Sequence, residues 1–210
     1  MKGPKQTMLT DFMLRWEFKF VVSVFLWVFS VVQYMQSPDL VHTLCLCGMS
    51  FSTLGDLFLM NYASIPSFWF KGKHFYAGAI SFMIAHIVYR QMFRCVTPKP
   101  NIWGVGDIIT IAIMIVLFII AYNTKFKKKS ELFFAVACLY TGIIFSNLAA
   151  AINCAIAVGG TYIWAMIGVA CFIISDLFLF IRETRTDTSL IRKLVWVFYP
   201  LAQIFIIANV

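Results

Sequence analysis

Charged residues are scarce in this sequence. Lys, Arg, Asp and Glu make up 12% of its 210 residues, and 61% are hydrophobic. A soluble domain carries about 25% charged residues, so this chain could not cover the surface of a water-exposed globule and must be solvated mostly by lipid. In a bilayer the backbone must satisfy its own hydrogen bonds, which leaves helices or closed barrels. The apolar runs are continuous for about twenty residues, without the alternation of barrel strands, and therefore predict helices.

Residues that mark common catalytic and metal sites are also few. Of three histidines only His86 lies deep in an apolar run, so the sequence does not predict a zinc site with several histidine ligands. It contains no Gly-x-Ser-x-Gly elbow and no phosphate-binding loop. The six cysteines include no Cys-x-x-Cys pair and are interpreted as small packing residues. We expect no metal or organic cofactor, with a cation held by Asp56, Asp176 and one histidine as the alternative.

The apolar runs predict an all-α bundle of seven transmembrane helices, forming a single transmembrane domain over residues 1–210. Ser-Pro-Asp at 37–39 separates the first two helices, and Gly159 and Gly160 form a tight turn between the fifth and sixth. The fifth run is long, but it cannot cross twice at roughly twenty residues per crossing. The predicted spans are 18–36, 39–61, 73–93, 103–123, 131–158, 161–181 and 191–209.

The net charge of +8 lies in short patches between these runs, as topology determinants do, so we expect no nucleic-acid partner. With the N-terminus in the cytoplasm, fourteen Lys and Arg side chains fall on the inner side and three on the outer side. The positive-inside rule therefore predicts a cytoplasmic N-terminus and a C-terminus on the far side. We expect the membrane to be the plasma (inner) membrane of a bacterium or the endoplasmic reticulum of a eukaryote.

Two aspartates lie inside apolar runs, where an ionisable residue is costly and is a functional candidate by default. Asp56 and Asp176 share a small-Asp-Leu-Phe-Leu-bulky pattern, and each lies five residues from the inner end of its predicted span. At 1.5 Å per residue, both carboxyls are about 7–8 Å below that end. We therefore expect them to face a common cavity. The alternatives are two interfacial residues or a duplicated helix-packing motif.

A histidine and a lysine in the apolar runs each have two interpretations. His86 continues a helical stripe formed by Gly78 and Phe82 and followed by Tyr89, which could line a cavity or hold a hydrogen-bonded structural histidine. Lys19 begins the first span, where it could bind an anionic head group or only anchor the helix at the interface.

The fifth span carries a stripe of small and polar residues that includes Tyr140, Asn147 and Asn153. Such stripes are typical of close helix packing with interhelical hydrogen bonds, and Gln203 on the seventh span has the same interpretation. Asp107 lies near the outer end of the fourth span and is predicted to be interfacial. The candidate substrate-binding residues are Lys19, His86, Tyr89, Tyr140, Asn147 and Gln203.

Five short motifs, in order through most of the chain, resemble those of the YhhN family of membrane proteins, whose animal members are lysoplasmalogenases. They are Trp16-Glu17-Phe18-Lys19, Phe51-Ser52-Thr53-Leu54-Gly55-Asp56, the stripe from Gly78 to Tyr89, Ile174-Ser175-Asp176 and Tyr199-Pro200-Leu201-Ala202-Gln203. Family members usually have eight helices. The seven helices predicted here correspond to the last seven, so the family's first helix has no counterpart among them. Phe20 stands where the family has proline.

The resemblance implies a membrane hydrolase that cleaves the vinyl ether bond of a lysoplasmalogen-like lysophospholipid, giving a fatty aldehyde and a glycerophospho-base. Protonation of the alkenyl carbon gives an oxocarbenium ion, a problem that glycosidases solve with two carboxyls. We expect Asp56 and Asp176 to act in this way, with Lys19 and Lys71 or Lys73 at the phosphate. Membrane lipids are the other expected partners. The alternative is a proton-coupled transporter or lipid-binding protein that uses the same aspartates.

Overall fold

The part of the chain that the structure describes is entirely helical. The computed structural model describes residues 16–60, 74–98, 104–123 and 130–210, with the backbone alone for residues 16–19, 60, 121 and 122. Its seven helices, labelled in chain order, are α1 Trp16–Gln36, α2 Leu40–Met60, α3 His74–Val96, α4 Val105–Tyr122, α5 Glu131–Val158, α6 Tyr162–Thr184 and α7 Ser189–Ile207. Seven helices are thus confirmed in the described part of the chain, and α5 is one unbroken helix as expected.

Beyond the predicted spans, α3 and α6 each extend three residues further at the C-terminal end, and α1 and α7 each begin two residues earlier. Polar side chains account for two of these ends. Arg182 and Glu183 form an ion pair in the last turn of α6, with 3.0 Å between Nη2 and Oε1. The hydroxyl of Thr188 accepts a hydrogen bond from the backbone N–H three residues later and so caps α7 at an earlier residue than hydropathy indicates.

Short polar or glycine-rich segments set the other helix boundaries that matter for the site. The side-chain oxygens of Asp39 and Ser130 accept hydrogen bonds from the backbone N–H groups three residues later and cap α2 and α5. Gly159 and Gly160 have φ angles of 70° and 57°, in the left-handed region that glycine adopts without strain. The predicted tight turn between α5 and α6 is therefore confirmed.

The bundle has the apolar character of a membrane protein. Four helices, α2, α5, α6 and α7, are long and apolar enough to cross a bilayer, and α1 and α4 contain shorter apolar stretches, Phe20–Gln36 and Val105–Ile120. Large apolar side chains such as Ile108 and Phe118 on α4 are mostly exposed, as lipid-facing residues are. The least apolar helix is α3, which carries His86, fully buried in the bundle. The chain is thus a helical membrane bundle.

Six of the helices form a closed ring. Going round it, α1 packs against α2, α2 against α3, α3 against α5, α5 against α6, α6 against α7, and α7 against α1. The remaining helix, α4, packs on the outside of α5. Because α7 also contacts α2, it lies between α2 and α6, the two helices that carry the candidate aspartates.

Glycines let the helices beside the site approach closely. A Cβ atom on Gly168 of α6 would lie 2.8 Å from the backbone carbonyl oxygen of Ala202 on α7. A Cβ on Gly55 of α2 would lie 2.8 Å from Cε2 of Phe82 on α3. Small residues at such positions are how membrane helices gain close packing when lipid supplies no hydrophobic driving force between them.

Candidate active site

Asp56 joins three helices. It lies four residues before the end of α2, and its Oδ2 atom accepts hydrogen bonds from the hydroxyl of Ser23 on α1 and from the phenol of Tyr199 on α7. Ser23 is fully buried and Tyr199 nearly so. The carboxyl of Asp56 is therefore held by O–H donors from both helices that close the ring.

Asp176 has a hydroxyl partner on the next helix of the ring. The phenol of Tyr140 on α5 donates to Oδ2 of Asp176 on α6, with 2.5 Å between the two oxygens. Because α6 continues to Thr184, Asp176 lies eight residues before the helix end rather than five. The prediction that the two aspartates lie equally far from the ends of their helices is therefore wrong, because α6 continues three residues past its predicted end at Ile181.

The two aspartates nevertheless line one cavity, as the sequence predicted. Its volume is about 40 Å³, and its walls come from α2, α3, α6 and α7. Each water needs at least about 10–15 Å³ on this measure, so the cavity has room for at most about three or four waters. Pockets for drug-sized ligands hold about 300–1,000 Å³, so a whole lipid would enter only if the helices moved apart. The other lining residues are Leu59, Phe82, Ser175, Leu179, Val195, Trp196 and Tyr199.

The lining of this cavity favours a positive charge. Besides the two carboxyls it contains three aromatic side chains, Phe82, Trp196 and Tyr199, and none of the described lining residues is basic. The rings of Phe82 and Tyr199 meet edge to face, with centroids 6.0 Å apart. Carboxylates attract a cation by charge, and aromatic faces attract it through the ring quadrupole.

His86 lies behind the cavity rather than in its wall. Its Nδ1 atom is 3.1 Å from the amide Nδ2 of Asn147, and both side chains are fully buried. The imidazole meets Phe172 edge to face at 4.4 Å between ring centroids and meets Tyr140 at 6.1 Å. Of the two interpretations, the geometry favours a hydrogen-bonded structural histidine that packs against the tyrosine holding Asp176.

Tyr89 and Gln203 form a second polar contact in the same buried interior. The phenol of Tyr89 donates to Oε1 of Gln203 at 3.0 Å, and neither side chain is exposed. Gln203 lies one helical turn after Tyr199 on α7, so this contact continues the polar face that reaches Asp56. The predicted interhelical hydrogen bonds of Tyr140, Asn147 and Gln203 are thus confirmed, while their predicted role in substrate binding stays a prediction.

Asp107 belongs to a separate network between α4 and α5. Its Oδ2 atom accepts hydrogen bonds from the backbone N–H of Gly104 at 2.8 Å and from the amide of Asn153 at 2.9 Å. The backbone N–H of Gly106 in turn donates to Oδ1 of Asn153 at 2.8 Å. Asp107 is not among the residues that line the cavity, and the network attaches α4 to the ring.

The predicted lysines cannot be placed in the site. Lys19 lies in α1, but its side chain is outside the described residues, as are Lys71 and Lys73 entirely. Among the side chains that are described, no group of three or more His, Cys, Asp or Glu residues is arranged to hold a metal ion.

The two hydroxyl donors to Asp56, Ser23 and Tyr199, were not among the predicted site residues, although Tyr199 begins one of the five motifs noted above. Each lies one helical turn from a residue that the sequence did single out, Lys19 for Ser23 and Gln203 for Tyr199. Residues four apart share a helix face, so this spacing was the available signal.

Comparison with known proteins identifies the family of the chain. No curated protein and no solved structure matches the chain. The model of the YhhN family matches residues 14–210, nearly the whole sequence. Both aspartates and all three of their hydroxyl partners fall within the matched range, and so do the five motifs noted above. This chain is a member of the YhhN family.

Proposed function

We propose that the chain is a hydrolase that cleaves the vinyl ether bond of a lysoplasmalogen-like lysophospholipid. Membership of a family whose known members are lysoplasmalogenases supports this reaction. The observation that carries the proposal is the shared cavity, which is lined by one aspartate from α2, one aspartate from α6 and three aromatic side chains. Such a lining complements a reaction that passes through a cation.

The reaction can be written with carboxyl groups alone. One aspartic acid gives its proton to the alkenyl carbon that is not bonded to oxygen, and the electron pair of the double bond forms the new C–H bond. The resulting oxocarbenium ion takes up water, and the second carboxylate removes a proton from that water. Collapse of the hemiacetal breaks the C–O bond, releases the aldehyde and the glycerol hydroxyl, and restores both carboxyls to their starting states. One water is consumed.

The lining of the cavity suits the transition state better than the substrate. The vinyl ether is neutral, whereas the oxocarbenium ion is positive. The oxocarbenium ion therefore interacts more strongly with the carboxylate and with the rings of Phe82, Trp196 and Tyr199. Preorganised charge of this kind is usually a large part of catalysis.

The decisive test measures aldehyde release from a lysoplasmalogen by the purified protein in detergent micelles. We expect Asp56→Asn and Asp176→Asn each to lower kcat by about 10²–10⁴-fold, the usual effect of losing a general acid or base. Asp107→Asn is the matched control, because this aspartate is also hydrogen-bonded within the bundle but lies outside the cavity. Near-wild-type rates in both folded cavity variants would exclude the carboxyl pair.

Two further measurements define the proposal against its alternatives. Activity that survives thorough chelation is expected, and activity that returns only with a divalent ion would replace the carboxyl mechanism with a metal-assisted one. A transporter would instead show pH-dependent uptake into liposomes without product formation.

Lys19→Gln is expected to raise KM more than it lowers kcat if this lysine holds the phosphate.

A further inference from the structure

The two carboxyls of the cavity have unequal hydrogen-bond environments. On Asp56, one oxygen accepts from two hydroxyls, those of Ser23 and Tyr199. On Asp176, the described residues provide one such donor, the phenol of Tyr140. The difference comes from the ring of helices, since α2 meets donors from α1 and α7, whereas the partner of Asp176 comes from α5 alone.

Hydroxyl donors stabilise a carboxylate more than a carboxylic acid, because the ionised oxygen is the stronger acceptor. Two carboxyls that share a small low-dielectric cavity do not both ionise, because each negative charge raises the cost of the other. The single negative charge therefore resides where more O–H groups point at it. That place is Asp56, and the proton remains on Asp176.

We propose that Asp176 is the general acid of the pair and Asp56 the ionised carboxylate that faces the cation, an assignment that rests on the proposed function. Tyr140 donates to Oδ2 of Asp176, so Oδ1 is the oxygen that carries the acid proton. This proton moves to the alkenyl carbon, and Asp56 then takes a proton from the water that adds. When the hemiacetal collapses, the leaving glycerol oxygen receives the proton from Asp56, and the hemiacetal hydroxyl returns one to Asp176.

Tyr140 and Tyr199 are positioning residues in this scheme. The hydroxyl of each acts through one carboxyl, so Tyr140→Phe and Tyr199→Phe form a matched pair of probes, and the ring of Tyr199, which also lines the cavity, is kept. Among the described residues, the titratable groups around Asp176 are Tyr140 on α5, Tyr199 on α7 and Asp56 on α2. Around Asp56, the described side chains on neighbouring helices include Ser23 on α1, Phe82 on α3 and Tyr199 on α7, and of these only Tyr199 carries a titratable group.

Infrared spectroscopy of the purified protein in D₂O tests the assignment without any substrate. A protonated aspartic acid has a C=O stretch at higher frequency than a carboxylate, and that stretch rises further when a hydrogen bond to its oxygen is lost. We expect Tyr140→Phe to move this acid band to higher frequency and Tyr199→Phe to leave it in place. Phenylalanine keeps the ring in both variants, so packing is preserved. A band that moves in Tyr199→Phe but not in Tyr140→Phe would reverse the assignment, and the absence of an acid band near neutral pH in the wild type would refute it.

A kinetic experiment examines the same roles in turnover. The rate of an acid/base pair falls at low pH as its base protonates and at high pH as its acid ionises. We expect the residual activity of Asp176→Asn to lose the high-pH fall and that of Asp56→Asn to lose the low-pH fall. The opposite result would overturn the assignment. If the wild type releases no aldehyde, the proposed function fails, whereas the infrared experiment still identifies the protonated aspartate.

Discussion

The substitution Gly168→Ala tests whether close contact between α6 and α7 holds the site together. The added Cβ would lie 2.8 Å from the carbonyl oxygen of Ala202, 2.9 Å from Cβ of Phe205 and 3.0 Å from Cγ1 of Ile206. The first two of these atoms cannot turn away, since one is backbone and the other is fixed to it. Restoring ordinary contact at 3.4 Å requires the helices to separate by about 0.6 Å.

The magnitude follows from comparison with a glycine that has space. Gly142 lies inside α5, and a Cβ there would meet nothing within 4 Å. Both Gly→Ala changes gain about 1 kcal/mol of helix propensity, so this gain cancels when the two variants are compared. The difference is the overpacking cost, about 1–3 kcal/mol. Gly168→Ala is therefore expected to be less stable than Gly142→Ala by this amount.

Activity should change together with stability. The α6–α7 contact sets the distance between Asp176 and Tyr199, which line the cavity from these two helices. A displacement of this size at a reacting group costs up to about 10²-fold in rate. The free energy of unfolding is measured in mixed detergent micelles with increasing denaturing surfactant, and aldehyde release is measured on the same preparations. Equal stability of the two alanine variants would refute the reasoning, because it would mean that α6 and α7 are not in close contact at this glycine.

Three further predictions concern single side chains. Tyr89→Phe should cost about 1–3 kcal/mol of unfolding free energy, because it leaves the buried Oε1 of Gln203 without its donor; a loss below 0.5 kcal/mol, about that of an exposed hydroxyl, would contradict this. Pro200→Ala should stabilise α7 by restoring a backbone N–H inside the helix, and should lower kcat if α7 bends there to admit substrate; an unchanged kcat would place the opening elsewhere. The backbone N–H and ring of His42 hold the pKa of Asp39 below its ordinary 3.8. The contribution of ionised Asp39 to the free energy of unfolding is therefore complete above pH 3.8 and is lost as the pH falls below that value. Asp39→Ala should therefore be less stable than the wild type by about 1 kcal/mol near neutral pH, and the two unfolding curves should converge in acid; a constant difference would show that charge is not involved.

The helices were predictable because their signals are local. A continuous apolar run identifies a membrane helix, and the breaks at Pro38 and at Gly159–Gly160 are visible in the chain itself. The aspartates stood out for the same reason, since an acidic residue inside such a run has no cheap explanation. Their shared cavity followed from the expectation that both lie near the same membrane face.

The partners of the aspartates were not predictable, because they depend on which helices are neighbours. A serine such as Ser23 is unremarkable in an apolar helix, where its hydroxyl can bond to its own backbone. Only the closure of the ring between α1 and α7 brings it and Tyr199 to the same oxygen of Asp56. Asp107 was interpreted as interfacial for a similar reason, since Asn153, its partner, is 46 residues away.

The order in which these partners occur along the chain bears on biosynthesis. Ser23 precedes Asp56 by 33 residues and Tyr140 precedes Asp176 by 36, so each acid leaves the ribosome after one hydroxyl that will bind it. Inserting an aspartate into a membrane helix costs up to about 2.5–3.5 kcal/mol, the value at the helix centre, and a donor already in the bilayer lowers that cost. Tyr199 emerges 143 residues after Asp56, which is about 7–30 s of synthesis. During that interval Ser23 is the one of these two donors to Asp56 that has been synthesised, and both are present only once α7 has followed.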